Sequence, residues 1–169
     1  MDYFQLFNLP KKFKIDKKKL VLKFYELQQK YHPDAINNNS KSKNNNLKQS
    51  INVNLGYYVL KSSCRRAEHL LLLNSYNFKK EQKYLSQSNF LYKQLKLYEK
   101  LDTFKYTIKK ELELSHFINE IVHKKQYYLS ELESMLNQKE WKLAAIILHK
   151  LLFYKKFKRK LDTLKNIKN

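Results

Sequence analysis

An all-α fold is predicted, and three features of the chain predict it. One Gly and two Pro occur in 169 residues, so the residues that break helices are scarce; average usage is roughly 7% glycine alone. Apolar side chains recur every three or four positions over long stretches, the period of a helix with one buried face. The hydrophobic fraction, 43%, is enough to fill a core. The pattern divides into an N-terminal helical hairpin over residues 1–75, a linker over 76–82, and a C-terminal three-helix bundle over 83–169.

A short helix is expected near 2–7, closed by Pro10. The first long helix runs over 18–31, where Leu20, Phe24, Leu27 and Tyr31 form one stripe and Lys19, Lys23 and Lys30 lie away from it. Asp16 is placed to cap it. The helix should stop at His32, because Pro33 disfavours α geometry in the residue before it. Residues 37–46 are polar and low in complexity, and read as a loop. Helix resumes at about Leu47, with Leu47, Val53, Tyr57, Leu60 and Cys64 on an apolar face. Gly56 inside it costs about 1 kcal/mol relative to Ala, which points to close packing.

The run Leu70-Leu71-Leu72-Leu73 is too short to span a bilayer and fits a buried helix end that plugs one subdomain onto the next. Residues 74–80 are polar and mark a boundary. Three helices follow over about 83–108, 112–137 and 140–165, and their short connections make them antiparallel neighbours. Their core stripes are Phe90, Leu97, Leu101, Phe104 and Ile108; then Leu114, Ile118, Ile121 and Leu132; then Leu143, Ile147, Tyr154, Phe157 and Leu161. No internal repeat is visible.

Composition bounds the function. The single cysteine, Cys64, cannot close an internal disulfide or form a Cys-x-x-Cys clip, so a reducing compartment is expected. No apolar run approaches the roughly 18 residues that a membrane span needs. The first residues resemble neither a signal nor a transit peptide, and the chain is expected to be cytoplasmic. Lys and Arg number 35 against 15 acids, a net charge of +20. Such a field attracts nucleic acid, and a basic helical nucleic-acid-binding protein is the alternative reading. However, nearly all the cations are Lys, spread along the chain among many Asn, Ile and Tyr, as AT-rich coding drift produces.

No Ser/His/Asp set, phosphate-cradling Gly loop or paired-carboxylate site occurs, so no enzyme with its own catalytic residues and no cofactor is expected. Glu113-x-x-His116 and Glu120-x-x-His123 look like the Glu-x-x-His pairs of di-iron bundles, but those converge from different helices. Here both lie on one helix, opposite its apolar stripe, and no metal site is predicted. His69 and His149 read as packing or surface residues, and Cys64 as a small core residue.

One helix carries apolar residues on two sides. At about 100° per residue, Leu91, Tyr92 and Leu95 fall opposite the core stripe of the helix near 83–108, with Glu99 one turn beyond. Packing on one face needs none of these outside, and grouped exposed apolar side chains mark interaction sites.

Tyr31-His32-Pro33-Asp34, between a basic amphipathic helix and a polar loop leading to a second helix, resembles the J-domain motif. Met1-Asp2-Tyr3-Phe4 with Leu6-Phe7 and Leu9-Pro10 is similar to the opening of the HscB family of co-chaperones. Val53-Asn54, Gly56-Tyr57 and Leu60 resemble its third J-domain helix, and Arg66-Ala67-Glu68 with Leu70-Leu71 its junction motif. Glu140-Trp141 and Leu151-Leu152-Phe153 resemble its last helix. The resemblance spans nearly the whole chain.

It implies that the J-domain binds an HscA-type DnaK-family chaperone and stimulates its ATP hydrolysis through His32, Pro33 and Asp34. Lys19, Lys23 and Lys30 would steer toward an acidic chaperone surface. It also implies that the bundle binds an IscU-type iron–sulfur scaffold through Leu91, Tyr92, Leu95, Glu99 and Phe153. A J-protein serving misfolded clients is less well matched, since no Gly/Phe-rich linker or zinc-binding cysteines occur. The chain departs from the family at Lys96 and Thr103, where the family carries acids, at Ser63, where it carries Pro, and after the Leu run, where its Gly is missing.

Overall fold

The computed structural model describes residues 1–31, 40–81, 89–106 and 111–168. Among these the structure is helical and contains no strand. None of the described helices is long and apolar enough to cross a membrane. The chain divides into two compact units, Met1–Asn74 and Ser75–Asn169.

The first unit contains α1 (Tyr3–Leu6), α2 (Lys17–Lys30), α3 (Ser40–Lys61) and α4 (Ser63–Leu73). Each of the first two helices starts on an aspartate that accepts from otherwise unpaired N–H groups of the first turn. Asp2 accepts from Phe4 and Gln5, and Asp16 from Lys18 and Lys19. The expected cap at Asp16 is therefore in place. α2 packs on α3, with Phe24 stacked on Tyr57 at 4.1 Å. The buried side chains are Phe4, Phe7, Leu9, Phe13, Leu20, Val53, Leu60, Cys64, Ala67, Leu70 and Leu71.

Gly56 sits where α1 crosses α3: a Cβ there would stand 2.8 Å from Phe7 Cε2 and 2.9 Å from Tyr3 Cδ1. The close packing read from this glycine is what the structure shows. Arg66 is buried, and its guanidinium donates to the carbonyls of Phe13 (2.6 Å) and Leu60. It thereby ties the loop before α2 to the end of α3, satisfying backbone acceptors that burial removes from water.

Three expectations for this unit need correction. The loop read over 37–46 is helical from Ser40 onward; residues 37–39 lie outside the described set. Asn ranks low in helix propensity, but the difference from the better formers is only a few tenths of a kcal/mol per residue, so polarity alone does not exclude helix there. Leu47, assigned to the core face, is exposed, and Cys64 belongs to α4, because the chain leaves helix at Ser62. Of the Leu run, Leu70 and Leu71 are buried while Leu72 is 67% exposed. Four consecutive residues cannot all share one face of a helix turning 3.6 residues per turn.

The second unit begins with a 3₁₀ turn (Phe78–Lys80), followed by α5 (Asn89–Tyr106), α6 (Glu111–Asn137) and α7 (Trp141–Lys168). The expected helix near 83–108 is described from Asn89 only, and Ile108 lies outside the described residues. Three helices share one core: Phe90, Leu101 and Phe104 of α5, Leu114, Phe117 and Ile121 of α6, and Tyr154, Phe157 and Leu161 of α7. Its rings interlock, with Phe117 stacked on Phe104 at 5.7 Å and edge-on to Phe157 at 6.0 Å.

Leu143, expected in the core, is exposed; the buried positions of that turn are Ala144, Ala145 and Leu148. α6 ends with Glu140 N–H donating to Met135 O and Lys139 N–H to Leu136 O, while Lys139 has φ 61°. This is a Schellman stop with lysine where glycine is usual.

Candidate functional site

The α5 helix is anchored by Phe90, Leu101 and Phe104, which face the core. Its opposite side then has to face solvent, because the rotation per residue is fixed. Leu91 is 43%, Tyr92 63% and Leu95 53% exposed. The expectation that these three stand outside the bundle is met. A carboxylate lies beside them: Glu99 is exposed and pairs with Lys96 at 2.9 Å, whose ammonium also sits 5.6 Å above the Tyr92 ring. Glu99 raises the Lys96 pKa, first through that hydrogen bond and then through its charge. Thr103 donates to the carbonyl of Lys100 at 2.8 Å.

Phe153 of α7 is half-buried at the flank of this helix. Its ring meets Phe90 edge-on at 5.6 Å and Tyr98 at 6.1 Å. Sequence reasoning missed Tyr98, which links Phe153 to the exposed side of α5. Tyr98 follows Leu91 by seven residues and Leu95 by three, spacings that place it on the same stripe. The Lys160 ammonium lies 4.7 Å from its ring centroid. The bundle thus presents an apolar surface of Leu91, Tyr92 and Leu95, bordered by aromatic rings and by a lysine–carboxylate pair.

In the first unit, Lys19 and Lys30 are exposed on α2, and Lys23 is half-buried and paired with Glu26 at 2.6 Å. They lie off the stripe of Leu20, which is buried. His32, Pro33 and Asp34 lie outside the described residues.

His69, His149 and Cys64 serve packing. His69 is buried between the Tyr3 and Phe4 rings, and its Nε2 accepts from the Tyr3 N–H at 3.2 Å. His149 stacks on Phe78 at 4.9 Å with Nε2 2.9 Å from the Phe78 carbonyl. Cys64 is buried. Glu113, His116, Glu120 and His123 are all exposed on α6. Among the described residues no group of three or more metal-ligating side chains is gathered.

Residues 86–162 match the family model described as "HSCB C-terminal oligomerisation domain". The chain is 41% identical over 160 residues to "Co-chaperone protein HscB" of Buchnera aphidicola, covering 94% of this chain and 91% of that protein. It is 35% identical over 163 residues to "Co-chaperone protein HscB homolog" of Vibrio cholerae, covering 96% and 95%. Among solved structures, "Chaperone HscB from Vibrio cholerae" superposes with a TM-score of 0.92 over 98% of each chain at 32% identity. The crystal structure of human co-chaperone protein HscB superposes at 0.85 over 96% of this chain and 81% of that one. At 24% identity, that second likeness is one of fold.

Proposed function

The chain belongs to the HscB family of J-type co-chaperones, and from that membership we propose that it stimulates an HscA-type DnaK-family ATPase and delivers an IscU-type iron–sulfur scaffold to it. The observation that carries the scaffold half is the two-faced α5: one side fills the core, and the other holds Leu91, Tyr92 and Leu95 in solvent. Exposing three large apolar side chains in one group has a cost, and a partner surface that covers them offsets it.

In this reading Leu91, Tyr92 and Leu95 are the apolar anchors, Phe153 extends them, and Glu99 supplies charge at the rim. Because Lys96 already holds Glu99, the scaffold must compete for that carboxylate or meet the pair as a unit. Residues 1–75 act as the J-domain, followed by a linker over 76–82 and the scaffold-binding bundle over 83–169. His32, Pro33 and Asp34 form the activating loop. Lys19, Lys23 and Lys30 speed encounter with an acidic chaperone surface, since charge complementarity acts most strongly on the association rate. The protein performs no covalent chemistry itself and works in the cytoplasm.

The test is single-turnover ATP hydrolysis by an HscA-type chaperone, with and without scaffold. Wild type should accelerate hydrolysis, and scaffold should increase the acceleration more than additively. Asp34→Asn should abolish it while leaving the circular dichroism spectrum unchanged. Acceleration that persists in Asp34→Asn would remove the activating loop from the reading. Acceleration indifferent to scaffold would remove the delivery role.

A further inference from the structure

α3 has apolar residues on two faces, and among the described residues only one of these faces is buried. Val53, Gly56 and Leu60 are buried, whereas Leu47, Ile51, Leu55 and Tyr58 are each 47–54% exposed. Their spacing of four, four and three residues aligns them in a single seam along the outer side of the helix. A seam this narrow is the geometry by which one helix receives another, as in coiled coils. A membrane surface instead requires a broad apolar face that can sink into the headgroup layer.

The electrostatics select among helical partners. Ser40–Lys61 contains no Asp or Glu. Lys48 and Lys61 are exposed beside the seam, and the Arg65 guanidinium lies 3.3 Å from the Tyr58 ring centroid, so a cation closes its end. Throughout residues 1–74 the only acids are Asp2, Asp16, Glu26, Asp34 and Glu68, and Glu26 is engaged by Lys23. A second copy of the chain would bring the same cations to the contact and be repelled. A helix with carboxylates flanking its apolar ridge would be attracted.

We propose that the Leu47–Ile51–Leu55–Tyr58 seam is a docking surface for an acidic amphipathic helix of a partner protein. Apolar anchors of that helix, spaced three and four residues apart, would pack along the seam, and its carboxylates would face Lys48, Lys61 and Arg65. This surface is additional to the residues assigned to the chaperone and scaffold above, and stands independently of them.

The full-length chain can be titrated into a labelled synthetic peptide with leucine at heptad a and d positions and glutamate flanking them. Carboxylate repulsion keeps such a peptide unfolded alone, so a gain in helicity and in fluorescence anisotropy reports binding. Binding should weaken with added salt, and a lysine-flanked peptide with the same leucines should not bind. The double variant Ile51→Ser, Leu55→Ser should bind at least about tenfold more weakly. Because both positions are exposed, its melting temperature should stay at the wild-type value, which separates lost docking from lost folding. Equal binding by that variant, or by the lysine-flanked peptide, would overturn the proposal. So would seam-dependent binding to phosphatidylserine vesicles in place of the peptide, or seam-dependent dimerisation in analytical ultracentrifugation.

Discussion

Phe7 is wholly buried, so its ring has no room to turn away from a methyl group placed on Gly56, 2.8 Å distant. Alanine would gain about 1 kcal/mol in helix propensity, but overpacking a filled core costs about 1–3 kcal/mol. Gly56→Ala is therefore expected to be destabilising by about 1 kcal/mol in denaturant unfolding, and a stabilised variant would show that Tyr3 and Phe7 yield. His69 gives stability a pH dependence. Burial holds its pKa below the ordinary 6.5, against the pull of the Asp2 carboxylate and with help from the N-terminal ammonium. The unfolded chain then binds the proton at higher pH than the folded one. The stabilisation is complete above about pH 6.5 and is lost as pH falls from there toward the folded pKa. Unfolding free energy should decline as pH falls below about 6.5, and His69→Gln should flatten that decline. Parallel slopes for the two proteins would rule the histidine out as its source. That Gly56 packs closely was legible in the sequence. The partner of His69 was not, because Tyr3 and His69 are 66 residues apart.

Among the helices, α5 shows most clearly how periodicity exposes a surface. The residues that fill the core fix its rotation, and the rotation fixes which others meet solvent. Replacing Leu91 and Leu95 with Ala should leave the melting temperature nearly unchanged, because those side chains contribute little burial to the fold. Scaffold affinity by isothermal titration should fall by at least about tenfold, the effect of truncating interface anchors; unchanged affinity would place the interface elsewhere. ATPase stimulation without scaffold should not change. On α7 the same reasoning was less successful. The apolar period of α7 predicts Leu143 in the core, but Ala144 and Ala145 are buried instead, because a stripe drawn through large side chains passes over alanine. On α3, apolar residues surround the helix, so periodicity alone had no basis for choosing the buried side, and Leu47 was assigned to the wrong one.

For the whole molecule the dominant quantity is charge. A net +20 opposes compaction through self-repulsion, and Lys96–Glu99 and Lys100–Glu120 are surface pairs that contribute little. Screening should therefore help more than it harms. The melting temperature is expected to rise when ionic strength increases from about 0.01 M to about 0.15 M, and a fall on calorimetry would mean that local pairs outweigh the global repulsion. The helical class, the cap at Asp16, the solvent face of α5 and the family are all legible in the order of the residues, because each depends on neighbours within a turn or two or on motifs in a fixed order. Folding in three dimensions settled which face of α3 is buried, that Arg66 closes on Phe13, and that Phe153 and Tyr98 meet. Those outcomes depend on contacts between residues far apart in the chain, and no local periodicity carries that information.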